Sequence, residues 1–174
     1  MRFRNREIEI IPNGNQLKTL QLVDKYAERE KNHPFITSSI SKYNLTRSKE
    51  DLKRIFEAIH RIIYFEPDPE NIQLVKTVNR TLKDERGNCV DYSVFFSAFL
   101  RALKVPHIIR IVEYPFQPRP GFSHIYVQTM DGFTLDAVIG QDQNGDEFKR
   151  NTRIPYFNME VLPYKNKLDK IVNL

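Results

Sequence analysis

Between Leu52 and Ile63 the apolar residues Leu52, Ile55, Phe56, Ile59, Ile62 and Ile63 recur every three or four positions, the spacing of one helix face. Ser48, three residues ahead of Asp51, resembles a capping box, so a helix is predicted over about 48–63. A second helix is predicted from Gln16 to about Lys31. Asn15 caps it, and Leu17, Leu20, Val23 or Asp24, and Ala27 form its stripe. Asp68-Pro69 reads as the start of a further helical segment running through Val75 and Val78 to Leu82 and a turn at Gly87. From Cys89 to Lys104 the pattern is again helical, but Val90, Val94 and Ala98 add apolar positions outside a single stripe, which marks a buried helix. Pro106 ends it.

Beyond Pro106 the period changes. His107 to Tyr114, Ser123 to Thr129 and Phe133 to Ile139 read as strands, the last two joined by the hairpin signal Met130-Asp131-Gly132. Phe3 to Ile11 alternates like a short exposed strand and stops at Pro12-Asn13-Gly14. Helices first and an antiparallel sheet afterwards predict an α+β domain in which the buried helix packs on the sheet. No linker, repeat or low-complexity run divides the chain, so its 174 residues are read as one domain. Within it we expect a helical N-terminal extension over 1–72, a core over 73–140 and a C-terminal extension over 141–174.

Composition narrows the function classes. A single cysteine makes no internal disulfide, and the N-terminal Met1-Arg2-Phe3-Arg4-Asn5-Arg6 leads into no signal-peptide-like apolar stretch. No run approaches the roughly 18 apolar residues of a membrane span. A soluble, cytoplasmic chain with no membrane partner is expected. The net charge of +5 comes from Lys and Arg interleaved with Asp and Glu along the chain, which is weak evidence for a nucleic-acid partner.

The candidate chemistry gathers around the one cysteine. Cys89 stands in Arg86-Gly87-Asn88-Cys89-Val90-Asp91-Tyr92, at the head of the apolar helix. His124 in Ser123-His124-Ile125-Tyr126-Val127 and Asp136 in Leu135-Asp136-Ala137 follow it. Cys, His and Asp in this order make a catalytic-triad candidate. A thiolate is a strong nucleophile only when its pKa is lowered, and a helix start beside an imidazole is where that happens. Each residue has a plainer reading when taken alone: a small buried hydrophobe, a strand residue, and a turn or cap. His33, His60 and His107 lack zinc-ligand spacing with Cys89, so no metal and no cofactor are called for. The oxygen-rich run Asp142-Gln143-Asn144-Gly145-Asp146-Glu147 lacks the EF-hand register and reads as a solvated loop. Arg153, Tyr156, Phe157, Tyr164 and Lys165 read as packing rather than base stacking.

The segment Gly87-Asn88-Cys89-Val90-Asp91-Tyr92, followed by Phe99-Leu100-Arg101-Ala102-Leu103-Lys104-Val105-Pro106 and Arg110, resembles the transglutaminase-like superfamily, in which Gly-x-Cys-x-Asp opens the core helix. Ser123 to Val127 and Phe133 to Asp136 are similar to that family's His and Asp strands, with 35 residues from Cys89 to His124 and 12 more to Asp136. The resemblance spans about Gln73 to Gly140 and implies a papain-like fold. The compact form with a long helical N-terminal part is most similar to small phage- and prophage-encoded members, which would allow a virion location. The resemblance implies Cys89 as nucleophile, His124 as base and then acid, and Asp136 fixing the ring tautomer if strand register lets it face His124. The implied reaction is acyl transfer on a peptide or isopeptide-like amide of a protein or peptide substrate. Cys89 attacks the carbonyl, His124 protonates the leaving amine, and water or a second amine resolves the thioester.

Two positions depart from the family's pattern. Relatives commonly place Gln or Trp in the oxyanion hole, but this chain has no Trp, and Gln73 lies too far upstream for the donor to be assigned. Asn88 stands where many relatives carry Asp. Both leave room for a phage structural or assembly protein that keeps the fold and docks neighbouring subunits of a particle. A nucleic-acid-associated module using the positive charge is a further alternative. The loop from Tyr114 to Phe122, with three prolines, is expected to rim the site.

Overall fold

The computed structural model describes residues 7–12, 15–69, 71–114, 122–137 and 165–172. The readings at 1–6, at the loop residues 115–121, at the oxygen-rich run and at 150–164 lie outside them.

Two of the predicted helices form with the expected caps. In α1 (Gln16–Glu30), Asn15 Oδ1 accepts from Lys18 N at 2.9 Å. The buried face is Thr19, Leu20, Val23, Tyr26 and Ala27, so the stripe is rotated and Leu17 is left outside it, 52 % exposed. In α3 (Lys49–Ile62), Ser48 accepts from Asp51 N, but the Asp51 carboxylate turns to Thr46 and Arg54, which leaves half of a capping box. Those bonds hold the Asp51 carboxyl down at about 2. Between these helices the sequence reading passed over α2 (Pro34–Tyr43). Pro34 opens it, His33 caps it through Nδ1 to Phe35 N at 3.2 Å, and left-handed Asn44 ends it. His33 is therefore the N-cap of this helix.

The helix expected from Asp68 through Val75 is not there. Ile72–Lys76 is a strand, β3, paired antiparallel with β1 (Ile8–Pro12), and α4 (Val78–Asp84) begins only at the Thr77 cap. Val75 and Val78 fit a helical spacing, but pairing with the distant β1 satisfies the backbone of β3, and tertiary contact overrides local pattern. Tyr64–Phe65 (β2) and Arg86–Gly87 (β4) form a short parallel bridge.

Helix α5 (Cys89–Ala102) is buried on every side from Val90 to Arg101, which is why its sequence shows no single stripe. It packs with α1 on a four-stranded antiparallel sheet of order β7-β6-β5-β8: β5 (His107–Tyr114), β6 (Phe122–Thr129), β7 (Thr134–Leu135) and β8 (Lys165–Val172). The predicted third strand shrinks to β7, and the tail residues 165–172 join as β8 on the far edge of β5. The turn between β6 and β7 closes as predicted, with Thr129 N to Phe133 O at 2.8 Å and Gly132 at φ 91°, where a side chain would strain the backbone. The result is an α+β papain-like core, with the head of α5 beside β3 and β6.

Candidate active site

The head of α5 is built from buried polar groups. Asn88 Oδ1 accepts from Val90 N at 2.8 Å and Asp91 N at 3.0 Å, while Asp91 Oδ2 accepts from Asn88 N at 3.1 Å, a complete capping box. Asp91 Oδ1 also takes Lys76 N at 2.8 Å, which fastens β3 to the head of the helix. Burial nevertheless pushes the Asp91 carboxyl up to about 7, against the pull of these bonds and of Lys76. Gly87 is required by close approach: a Cβ there would sit 2.9 Å from Asp91 Cβ. Asn88 and Asp91 thus orient the backbone that carries Cys89, a role the sequence reading did not assign to either.

Cys89, half-buried at the first helical position, meets His124 from β6. His124 Nε2 lies 2.7 Å from Asp136 Oδ2, with both residues buried, and the His124 ring also hydrogen-bonds Cys89. Because Asp136 occupies Nε2, Nδ1 is the nitrogen left for the thiol. Strand register produces this meeting. Leu135 pairs with Val127 and Thr134 with Gln128, so Asp136 falls on the same face as His124 and diagonal to it, two residues off the direct pair. Burial alone would lower the His124 pKa. The Asp136 charge and hydrogen bond, with Cys89 adding to them, outweigh it and raise the ring to about 10.

A cavity of about 40 Å³ opens at this point. Cys89 and His124 share its lining with Gln16 and Thr19 of α1 and Gln73 of β3, against an apolar wall of Val90, Ile111 and Ile125. Gln16 and Thr19 carried no signal in the sequence, since only the packing of α1 on α5 brings them there. The other histidines stay apart. His60 sits in the aromatic cluster of Phe56, Tyr92 and Phe96, and His107 is buried against Ser97 at 2.8 Å. Among the described residues no group of three or more His, Cys, Asp or Glu side chains could hold a metal ion. Among them, too, no helix is long and apolar enough to cross a membrane.

Residues 36–132 match the model of the transglutaminase-like superfamily. The chain belongs to that superfamily. The match takes in Cys89 and His124 and stops short of Asp136. A comparison with curated protein sequences returns no match. Among solved structures the chain is similar to a Cytophaga hutchinsonii protein described as a candidate cysteine protease, at 12% identity and a TM-score of 0.48. The similarity covers 95% of this chain and 62% of that one.

Proposed function

We propose that the protein is a cysteine-dependent acyl-transfer enzyme acting on a peptide or isopeptide-like amide, with Cys89 as nucleophile, His124 as acid and base, and Asp136 as the residue that orients the ring. The observation that carries this reading is one imidazole held between a thiol and a carboxylate, with Nε2 2.7 Å from Asp136. In the resting site His124, raised to about 10 by Asp136, is the imidazolium, and the Cys89 sulfur stands beside it at the positive end of the α5 dipole. The thiolate adds to the amide carbonyl, the imidazolium proton goes to the leaving amine, and the neutral ring then deprotonates water or a second amine that resolves the thioester. Asp136 keeps Nε2–H pointed away from the sulfur throughout. Superfamily membership supports cysteine chemistry at that level of description.

Iodoacetamide alkylation at pH 6 tests the pair. Cys89 should react far faster than a free thiol with its pKa of about 8.5, and His124→Ala should slow it. Equal rates for the two proteins would sink the reading. A second reading is that of a particle component, which the resemblance to small phage-encoded members implies. It expects Cys89→Ala to leave incorporation into an assembly intact.

A further inference from the structure

Helices α2 and α3 each reach the buried helix α5 through an aromatic ring and leave a groove between them. Phe35 of α2 meets Phe95 and Phe99 edge-on, at 5.8 and 6.4 Å between ring centroids, and Phe56 of α3 stacks on Phe96 at 5.8 Å. Beside these anchors a cavity of about 440 Å³ opens between the two helices. That lies within the roughly 300–1,000 Å³ of small-molecule sites. Phe35, Ile55, Ile59 and Phe99 form its apolar floor. Tyr43 and Ile62 stand at its mouth, 51 % and 38 % exposed, so the apolar stripe of α3 runs on past the core into solvent. Among the described residues the groove shares no lining side chain with the Cys89 cavity. Phe99 lies about 15 Å along α5 from Cys89.

The mouth of the groove is charged. Arg54, Glu57 and Arg61 line it from α3, within a stretch, 42–61, that carries six Lys and Arg against three Asp and Glu and so +3 of the chain's net +5. Arg54 Nη1 already donates to Asp51 Oδ1 at 2.7 Å. Arg61 lies about 10.5 Å further along the helix, too far for one small anion to hold both guanidinium groups. Among the described residues Arg61 meets a carboxylate only at Glu57, 3.8 Å away and beyond hydrogen-bonding length, with its side chain 79 % exposed. Lys53, one turn before Glu57 and 4.0 Å from it, balances that carboxylate from the other side. We propose that this groove binds a small amphiphilic carboxylate, with the apolar chain between α2 and α3 and the carboxylate on the Arg61 guanidinium, whose planar fork suits it. The lining from Arg54 to Ile62 runs for about 12 Å, whereas a helix able to persist alone in water spans about 18–22 Å and would overhang it. A compact amphiphile therefore fits better than a docked helix.

Equilibrium dialysis of the full chain against radiolabelled decanoate tests the site. Binding should saturate at one decanoate per chain, and decylamine, the same chain with a cationic head at neutral pH, should compete about 10-fold less well than unlabelled decanoate. Arg61→Gln keeps the length of the side chain and removes its charge, and should weaken binding by about 3–10-fold. Ala58→Trp and Ser39→Trp each set an indole into the groove, one from α3 and one from α2, and should abolish binding. Alkylation of Cys89 by iodoacetamide at the wild-type rate shows that a variant is folded. Decanoate binding that survives in both Trp variants, or equal competition by decylamine, would overturn the assignment. So would an absence of decanoate binding in wild type. If wild type then sedimented with phosphatidylglycerol vesicles, the groove would be a contact for a lipid surface instead.

Discussion

His107 and His124 are buried to nearly the same degree, 0 % and 3 % exposed, yet they favour opposite charge states at neutral pH. At the start of β5, His107 Nδ1 donates to Val105 O at 2.8 Å and Nε2 accepts from Ser97 Oγ at 2.8 Å. Burial, with the nearby Arg101 cation, pushes this ring down to about 4, against the pull of the Val105 bond. Arg101 is itself pinned to Asp24 at 2.5 Å and Glu28 at 2.6 Å and reaches Ser97 at 3.3 Å, so this end of α5 is a satisfied clasp between α1, α5 and β5 around an uncharged His107. His124 is as dry, but one of its neighbours is a carboxylate, and its pKa goes up to about 10. Burial by itself discharges a histidine, and a buried anion within hydrogen-bond reach reverses that. The clasp holds the fold together, and the charged pair carries the candidate chemistry.

The strongest way to break this contrast is to make His124 resemble His107. Asp136→Asn removes the anion and keeps the shape, so the His124 pKa should fall from about 10 to below 6.5, and acylation by p-nitrophenyl acetate should drop by about 10²–10⁴-fold. The pH dependence of iodoacetamide alkylation reads the shift. An alkaline limb that stays near 10 in the variant would show that Asp136 is not what holds the proton.

Stability should report the same proton. The folded pKa of His124 lies above its unfolded value of 6.5, so the ring's contribution is fully present below about 6.5 and is lost as pH rises through about 10. Urea midpoints should fall across that window in wild type and fall less in Asp136→Asn. Identical slopes would remove His124 from the account.

Asp91 sharpens the comparison from the carboxylate side. Its folded pKa of about 7 exceeds the ordinary 3.8, so the folded state holds the proton more tightly and stability declines as pH rises from about 4 to about 7. Asp91→Asn sets an amide N–H2 against the backbone N–H of Asn88 or of Lys76 and should cost about 2–3 kcal/mol in denaturant melts at pH 7, with a flatter pH dependence. An unchanged midpoint would show that the tie between β3 and α5 is dispensable.

The smallest effect is expected at the clasp. His107→Gln should lower stability by about 1–2 kcal/mol and leave the pH profile of Cys89 alkylation where it was. A shifted profile would mean that the two ends of α5 are coupled.

Much of this architecture was legible along the chain. The apolar crowding of Val90 to Leu103 announced a buried helix, Asn15 and Ser48 announced their caps, and Asp131-Gly132 announced the hairpin. In each case the cause lies within a few residues of its effect. The order of Cys89, His124 and Asp136 and the Gly-x-Cys-x-Asp segment were likewise visible, because a helix start and two strand positions are local matters. Asn88 and Asp91 also stood in plain view as an N-cap and its first-turn partner, but Asn88 was read only as a departure from the family's pattern and Asp91 only as part of it.

What the chain could not show was which distant segments would meet. Ile72–Lys76 has apolar spacing compatible with a helix, and only pairing with Ile8–Pro12 makes it a strand. Lys165–Val172 becomes a sheet edge only because β5 offers one. Asp136 reaches His124 because Leu135 pairs with Val127, and a slip of one residue would turn its side chain to the other face of the sheet. Gln16 enters the Cys89 cavity because α1 packs along α5, and the polarity of Gln73 is set by Asp68. Spacing and capping are short-range and can be read from neighbours, while register, packing and the charge of a buried ring depend on partners brought in from elsewhere in the chain, so the tertiary structure decided them.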